Sequence, residues 1–140
     1  MPSTLWKYWR LVTVLVMLVV CAAANAQTAP SATPQVNARF LVYFDEFSAF
    51  LSDEAKTIIA DAAKRARESG ARRIVVQARA SATGTAETNK YLAQTRSSIV
   101  TDQLEADGIT RAMIRQEPIG QTGSSDPSVY NRRVDIILEP

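Results

Sequence analysis

The stretch from Arg73 to Gly108, RIVVQARASATGTAETNKYLAQTRSSIVTDQLEADG, decides the fold. Its opening segment, Arg73 to Ala80, alternates Ile74, Val76, Ala78 and Ala80 against Val75, Gln77 and Arg79, the period of two expected of a β-strand. Ser81 to Thr85 carries Gly84 and reads as a loop. A long helix is predicted from about Ala86 to Asp107, with Leu92, Ile99, Val100 and Leu104 as its apolar stripe and Gly108 at its end. A strand that turns into a helix with one face to bury is half of a helix-on-sheet layer.

Outward from this unit the pattern repeats. Upstream, Arg39 to Phe44 (RFLVYF) is a β-branched and aromatic run that suits a strand buried on both faces, and Asp45 ends it. Ser52 is placed to cap a second helix, with Asp53 and Glu54 in its first turn. Ala55, Ile58, Ile59, Ala62 and Ala66 then share one helical face until Gly70 supplies the stop. Downstream come a short turn (Thr110 to Met113), a strand around Ile114 to Ile119, and a loop from Gly120 to Ser128. The last strand is Tyr130 to Glu139, in which Val134, Ile136 and Leu138 alternate. The order β-α-β-α-β-β implies an α+β domain with two helices packed on one mixed sheet.

One residue on the long helix is out of keeping with its surroundings. At 100° per residue, Arg96 falls within about 40° of Leu92, inside the apolar stripe, with Asn89 two turns earlier on the same line. A guanidinium aimed at a core needs an anion or hydrogen-bond acceptors. Three fates are open on geometry alone: an ion pair with an internal carboxylate such as Asp45, a stem that snorkels to water, or a ligand site.

The chain starts differently from the rest. Lys7 and Arg10 precede an apolar run, Leu11 to Val20, that continues into Cys21 and three alanines, and Ala24-Asn25-Ala26 is an A-x-A cleavage signal. Residues 1–26 are therefore expected to be a secretory signal peptide, because the apolar run falls short of the ~20 residues that a spanning helix needs. An uncleaved anchor is the alternative. Lipidation at Cys21 is a third reading, against which Val20 stands where a lipobox wants a small residue. Gln27 to Asn37 (QTAPSATPQVN) reads as a flexible tether with a reach of at most ~36 Å, leaving 38–140 as the folded domain.

Composition excludes several function classes. The 140 residues hold no histidine and one cysteine, which removes histidine bases, zinc sites of the usual N/S type and any intrachain disulfide. Lys7 and Arg10 account for the whole net charge of +2, so residues 27–140 are neutral and a nucleic-acid partner is disfavoured. A hydrolase using Asp45 with Glu87 is conceivable, but no G-x-S-x-G or S-x-x-K nucleophile motif is present. No cofactor or metal is expected.

Three segments together resemble the OmpA-like domain family, whose members associate with peptidoglycan. Phe44 to Ala55, FDEFSAFLSDEA, is similar to the family opening F-D-F-D-S-A-x-L-x-P-E-A. Ser81 to Leu104 tracks T-D-x-x-G-S-x-x-Y-N-x-x-L-S-x-x-R-A-x-x-V-x-x-x-L without a gap, keeping Gly84, Asn89, Leu92, Arg96, Val100 and Leu104. Asn131 to Ile136, NRRVDI, is close to N-R-R-V-E-I.

The resemblance implies a non-enzymatic module that grips the diaminopimelate of the wall's peptide stem. In the family pattern an Asp takes that amino acid's ammonium and a helix Arg, fifteen residues later, takes its carboxylate. Here the Arg is Arg96, whereas Ser81 stands where the acid should be. A charge-assisted hydrogen bond contributes roughly 1.5 to 3 kcal/mol, so the exchange should weaken binding about tenfold to a hundredfold unless Asp45 or Glu87 substitutes. Asp45 matches an acidic position near the ligand, Asn89 a hydrogen-bonding wall, and one of Arg132 and Arg133 a pocket residue while the other supports the fold.

Two functions are therefore expected to compete: a periplasmic peptidoglycan-binding module, associated with the outer membrane, and the same fold with a degenerate site serving as a protein-binding structural subunit of an envelope-spanning assembly. Under the first, Arg96→Ala should abolish wall retention with little loss of fold.

Overall fold

The computed structural model describes residues 37–121 and 129–140. The signal peptide, Cys21 and nearly all of the expected tether lie outside the described residues, as does most of the loop after Gly120. Contacts divide the chain after Thr33, and every described residue belongs to the second unit, Pro34–Pro140.

Ser52 opens the first helix as its sequence predicts: its side chain accepts the Ala55 N–H at 3.1 Å, and Asp53 and Glu54 place negative charge at the positive end of the helix dipole. This helix, α1, spans Asp53–Ser69 and stops where Gly70 takes a left-handed conformation, φ +67°. It is preceded by β1 (Arg39–Tyr43) and followed by β2 (Arg73–Ala80). Thr85 caps α2 (Ala86–Ala106), after which come β3 (Ile114–Gln121) and β4 (Arg133–Glu139).

The four strands form one mixed sheet in the order β1-β4-β2-β3. β4 lies antiparallel to β1 and β2, and β2 runs parallel to β3 across the α2 crossover. The exits of β1 and β2, the entry of β4 and the start of α2 therefore gather at one end of the sheet. Every candidate residue named from the sequence sits at or near that end, so topology assembles what the sequence spreads over Asp45 to Arg133.

One face of the sheet carries the core. Val42, Ile74, Val76, Ala78, Val134, Ile136 and Leu138 are buried beneath Ala55, Ile59, Ala62, Ala63 and Ala66 of α1 and Ala93, Val100 and Leu104 of α2. Alanine-rich helix faces let the backbones lie close to the sheet, and burial of the larger side chains contributes roughly 1.5 to 3 kcal/mol each. No helix among the described residues is long and apolar enough to cross a membrane.

Three sequence expectations need correction. Among the described residues β1 is an edge strand, not one buried on both faces: β4 is its only described neighbour, and only Val42 and the following Phe44 are buried. An aromatic and β-branched run gives a strand without giving its place in the sheet. The buried face of α2 is also rotated from the predicted stripe. Leu92 and Ile99 are half-buried, and the inward line is Asn89, Ala93, Arg96, Ser97, Val100, Thr101 and Leu104. Ala93 and Ser97 are small enough to let the helix lie close to the sheet, and the Thr101 hydroxyl donates to the Ser97 carbonyl of its own helix at 2.8 Å. Finally, Tyr130 and Asn131 belong to a 3-10 turn, so the last strand begins at Arg133.

No helix among the described residues packs on the other sheet face. Arg79, Arg133 and Asp135 share it by alternation, with Leu41, Val75 and Ile137 as its apolar members. Asp135 is 0% exposed there, accepting from the Arg133 Nε at 2.8 Å and lying 3.7 Å from the Arg79 guanidinium.

Candidate ligand site

The Arg96 guanidinium is completely buried, and its partners are carbonyl oxygens. Its Nε donates to Ser48 O at 2.8 Å, Nη2 to Asp45 O at 2.8 Å and Nη1 to Arg79 O at 3.1 Å. The plane lies 5.0 Å from the centroid of the Phe44 ring, within cation–π range. Of the three fates open from the sequence, neither the ion pair with Asp45 nor the snorkelling stem is adopted: no described carboxylate pairs with Arg96. Carbonyl dipoles and an aromatic face solvate the charge without neutralising it, so the site keeps a net attraction for an anion. Burial, and next the nearby Arg132 cation, push the Arg96 pKa down to about 10.

The loop that supplies two of those carbonyls is unusual. Phe47, between Asp45 and Ser48, has φ +54°, a left-handed conformation that a bulky side chain adopts at a cost on the order of 1–3 kcal/mol. The three Arg96 bonds span from this loop to the end of β2, and Phe47 leans over Gly84, whose missing Cβ would lie 3.7 Å from the ring. Arg96 thus ties the β1–α1 loop, β2 and α2 together.

Asn89 lies two turns before Arg96 on the same helix line, 1% exposed, and its amide nitrogen has no hydrogen-bond partner among the described residues. An unpaired buried donor is unfavourable by about 1–3 kcal/mol, which an acceptor placed beside it would recover. Ser81 is buried immediately after β2, two residues beyond the Arg79 carbonyl that binds Arg96. Asp45 is exposed; its carbonyl holds Arg96, while its carboxylate has no partner among the described residues. Glu87, in the first turn of α2, is exposed.

The arginine pair is divided between two environments. Arg132 donates from Nε to Phe44 O at 3.3 Å and lines a cavity of about 240 Å³. Tyr43, Phe44, Asp45, Phe50, Ser52 and Val129 complete that lining, and Phe50 stands 76% exposed at it. Arg133 points to the opposite sheet face, where it holds Asp135 and donates to the Tyr130 carbonyl at 2.6 Å. The structure thus gathers Asp45 and Arg132 at the cavity and sets Arg96 directly behind its Phe44–Asp45 wall. Ser81 and Asn89 lie deeper along β2 and α2, and Arg133 is not part of the cluster.

Sequence reasoning did not single out Phe44, Phe47, Phe50 or Tyr43 for this place. Their only signal was an aromatic excess around Asp45, which a strand reading absorbs. Among the described residues there is no cluster of carboxylate or sulfur ligands that could hold a metal ion.

The family model described as the OmpA family matches residues 43–133. The OmpA-like domain of FopA1 from Francisella tularensis superposes with a TM-score of 0.62 at 19% identity, covering 73% of this chain and 75% of that one. The peptidoglycan-associated lipoprotein from Burkholderia pseudomallei gives 0.62 at 25% identity over 71% of this chain and 90% of its own. The periplasmic domain of Helicobacter pylori MotB, residues 90–256, gives 0.62 at 20% identity over 76% and 75%. No curated protein matches the chain. The family match takes in the Asp45 loop, both helices, strands β2 and β3 and the arginine pair, and on that evidence the chain belongs to the OmpA family.

Proposed function

We propose that this domain is a non-enzymatic, peptidoglycan-associating module of the bacterial cell envelope that holds the diaminopimelate of the peptide stem without covalent chemistry. The observation that carries the reading is Arg96: a buried cation whose ligands are all neutral carbonyls, set behind a cavity that holds a second cation, Arg132. A stem carboxylate entering the cavity meets Arg132 directly and takes over the acceptor role that the Asp45 and Ser48 carbonyls hold at Arg96. Release of the strained Phe47 loop favours that exchange. The Asp45 carboxylate, unpaired at the cavity wall, takes the ammonium that Ser81 cannot neutralise, and Asn89 supplies its free amide N–H to a neighbouring acceptor. The similarity to a peptidoglycan-associated lipoprotein supports the same assignment, and export to the periplasm accords with the A-x-A signal before Gln27.

The hydroxyl at Ser81 and the complete enclosure of Arg96 favour a second reading, in which the fold serves as a protein-binding structural subunit. Retention of the purified protein on isolated diaminopimelate-type sacculi separates the two. Wall binding predicts retention that Asp45→Asn lowers at least tenfold and Ser81→Asp raises. Absent retention, appearing only with Ser81→Asp, assigns the domain to a protein partner.

A further inference from the structure

The two edges of the sheet are not alike. β3 is a guarded edge: Pro118 lacks an N–H, the register with β2 shifts between Ala78 and Arg79 so that Ile119 is an extra residue, and Arg115 and Glu117 carry charge. β1, at the opposite edge, has no proline, bulge or internal charge between Phe40 and Tyr43.

The backbone polarity of β1 follows from its pairing. Phe44 donates its N–H to the Arg132 carbonyl, and Ala38 accepts the Leu138 N–H, so the even-numbered residues of β1 face β4. Arg39, Leu41 and Tyr43 consequently aim their N–H and C=O groups at the free edge, where they have no partner among the described residues. Arg39 is also exposed and has no ion-pair partner among the described residues.

We propose that β1 is a homodimerisation edge: two copies of this chain pair β1 with β1 antiparallel about Leu41 and join their four-stranded sheets into one. In this register Leu41 faces Leu41, and each Arg39 lies opposite Tyr43 of the second copy. The outward groups form about six backbone hydrogen bonds. Each Arg39 guanidinium rests on the Tyr43 ring of the other copy and lies diagonally across from its Asp45, a carboxylate for which the dimer and a wall ligand compete. No like charges meet across the two-fold axis. The contact is small, so the dimer forms at high local concentration, such as a shared surface provides.

The register is tested by cysteine scanning of the full chain with Cys21→Ser. A hydrogen-bonded antiparallel pair has Cα atoms about 5.5 Å apart, inside the disulfide range. Leu41→Cys should therefore give a non-reducing dimer band, Arg39→Cys and Tyr43→Cys should cross-link only when mixed, and Tyr43→Cys alone should not, its counterpart lying ~13 Å away. Equal cross-linking of Leu41→Cys and Tyr43→Cys, or none at all, overturns the proposal. Leu41→Pro removes an N–H that the β1–β4 ladder does not use. Sedimentation equilibrium should show the dimer weakened about tenfold or more, with the thermal midpoint shifted by a few degrees at most. A Leu41→Pro chain that associates as the parent does, or a parent monomeric at its highest soluble concentration, also overturns it.

Discussion

Arg96 donates to the backbone carbonyl of Asp45 at 2.8 Å, and the Asp45 carboxylate takes no part in the contact. The same residue thereby serves two ends: its main chain fixes a buried cation from one side, and its side chain stays open to the cavity. An internal ion pair would have cancelled both charges and left no reason for a zwitterionic ligand to bind. Here the two opposite charges stand near one another, held apart by hydrogen-bond geometry.

This arrangement changes what Arg96→Ala should do. From the sequence alone the variant was expected to lose wall binding and keep its fold. The structure shows that truncation would orphan three carbonyls and leave a void beneath the Phe44 ring. A loss of about 3 kcal/mol or more is expected in urea unfolding, whereas Arg96→Lys, which keeps the charge but cannot span three acceptors, should lose less. Wall retention is therefore better probed through Asp45 and Ser81, which carry no such structural burden.

The depressed pKa of Arg96 gives a signed pH effect. Burial holds its folded value at about 10, below the ordinary guanidinium range, so between these limits the unfolded chain binds more protons and folding stability rises with pH. Below about pH 9 the penalty of burying the charge is constant. The difference in unfolding free energy between the parent and Arg96→Met should therefore be flat from pH 6 to about 9 and should move in favour of the parent above about 10. Subtracting the variant cancels every titration that the two proteins share. A difference that falls above pH 10 would mean that Arg96 is stabilised as a cation in the fold.

Much of this molecule was legible in its sequence, and the reasons differ by element. Ser52, Gly70 and the alternation of Arg73 to Ala80 are local signals, set by caps and by period, and the structure repeats them. The place of β1 in the sheet is a tertiary outcome, fixed by β4 inserting between β1 and β2, and nothing in RFLVYF encodes it. Arg96 was recognisable as an anomaly on its helix, but its carbonyl ligands were not. They depend on the turn that Phe47 makes at positive φ, a conformation the residue type argues against. Asp135 was hidden for a related reason: alternation assigns it to the outward face, and outward reads as wet.

Asp135 is instead fully buried, between Arg133 and Arg79. Its Oδ2 and the Arg79 Nε each lack a hydrogen bond among the described residues, so the 3.7 Å contact between the two side chains is ionic and the Arg133 bond is the one hydrogen bond that the carboxylate accepts there. Asp135→Ala would strand two guanidinium groups in a half-buried setting. Removing one partner of a buried pair typically destabilises by 3–5 kcal/mol, so about 3 kcal/mol is expected, and on a domain of this size a fall in thermal midpoint of about 12 °C or more. A calorimetric scan checks it, with Arg73→Ala, whose pair with Glu139 is exposed, as the control that should shift by no more than about 1 kcal/mol.

Two glycines separate conformational strain from crowding. Gly70 and Gly120 both have positive φ, at +67° and +78°. A Cβ at Gly70 meets nothing within 4 Å, whereas at Gly120 it would lie 3.4 Å from the Lys90 Cα and 3.8 Å from its Cβ, against the first turns of α2. Gly70→Ala should therefore lose about 1 kcal/mol, the left-handed penalty alone. Gly120→Ala should lose that and more, because a helix backbone cannot yield as a side-chain tip can, and it should also shift α2 near Asn89. Urea midpoints for the two variants decide the matter: equal losses would show that α2 moves aside without resistance and that the β3 bulge does not hold the helix that carries Asn89 and Arg96.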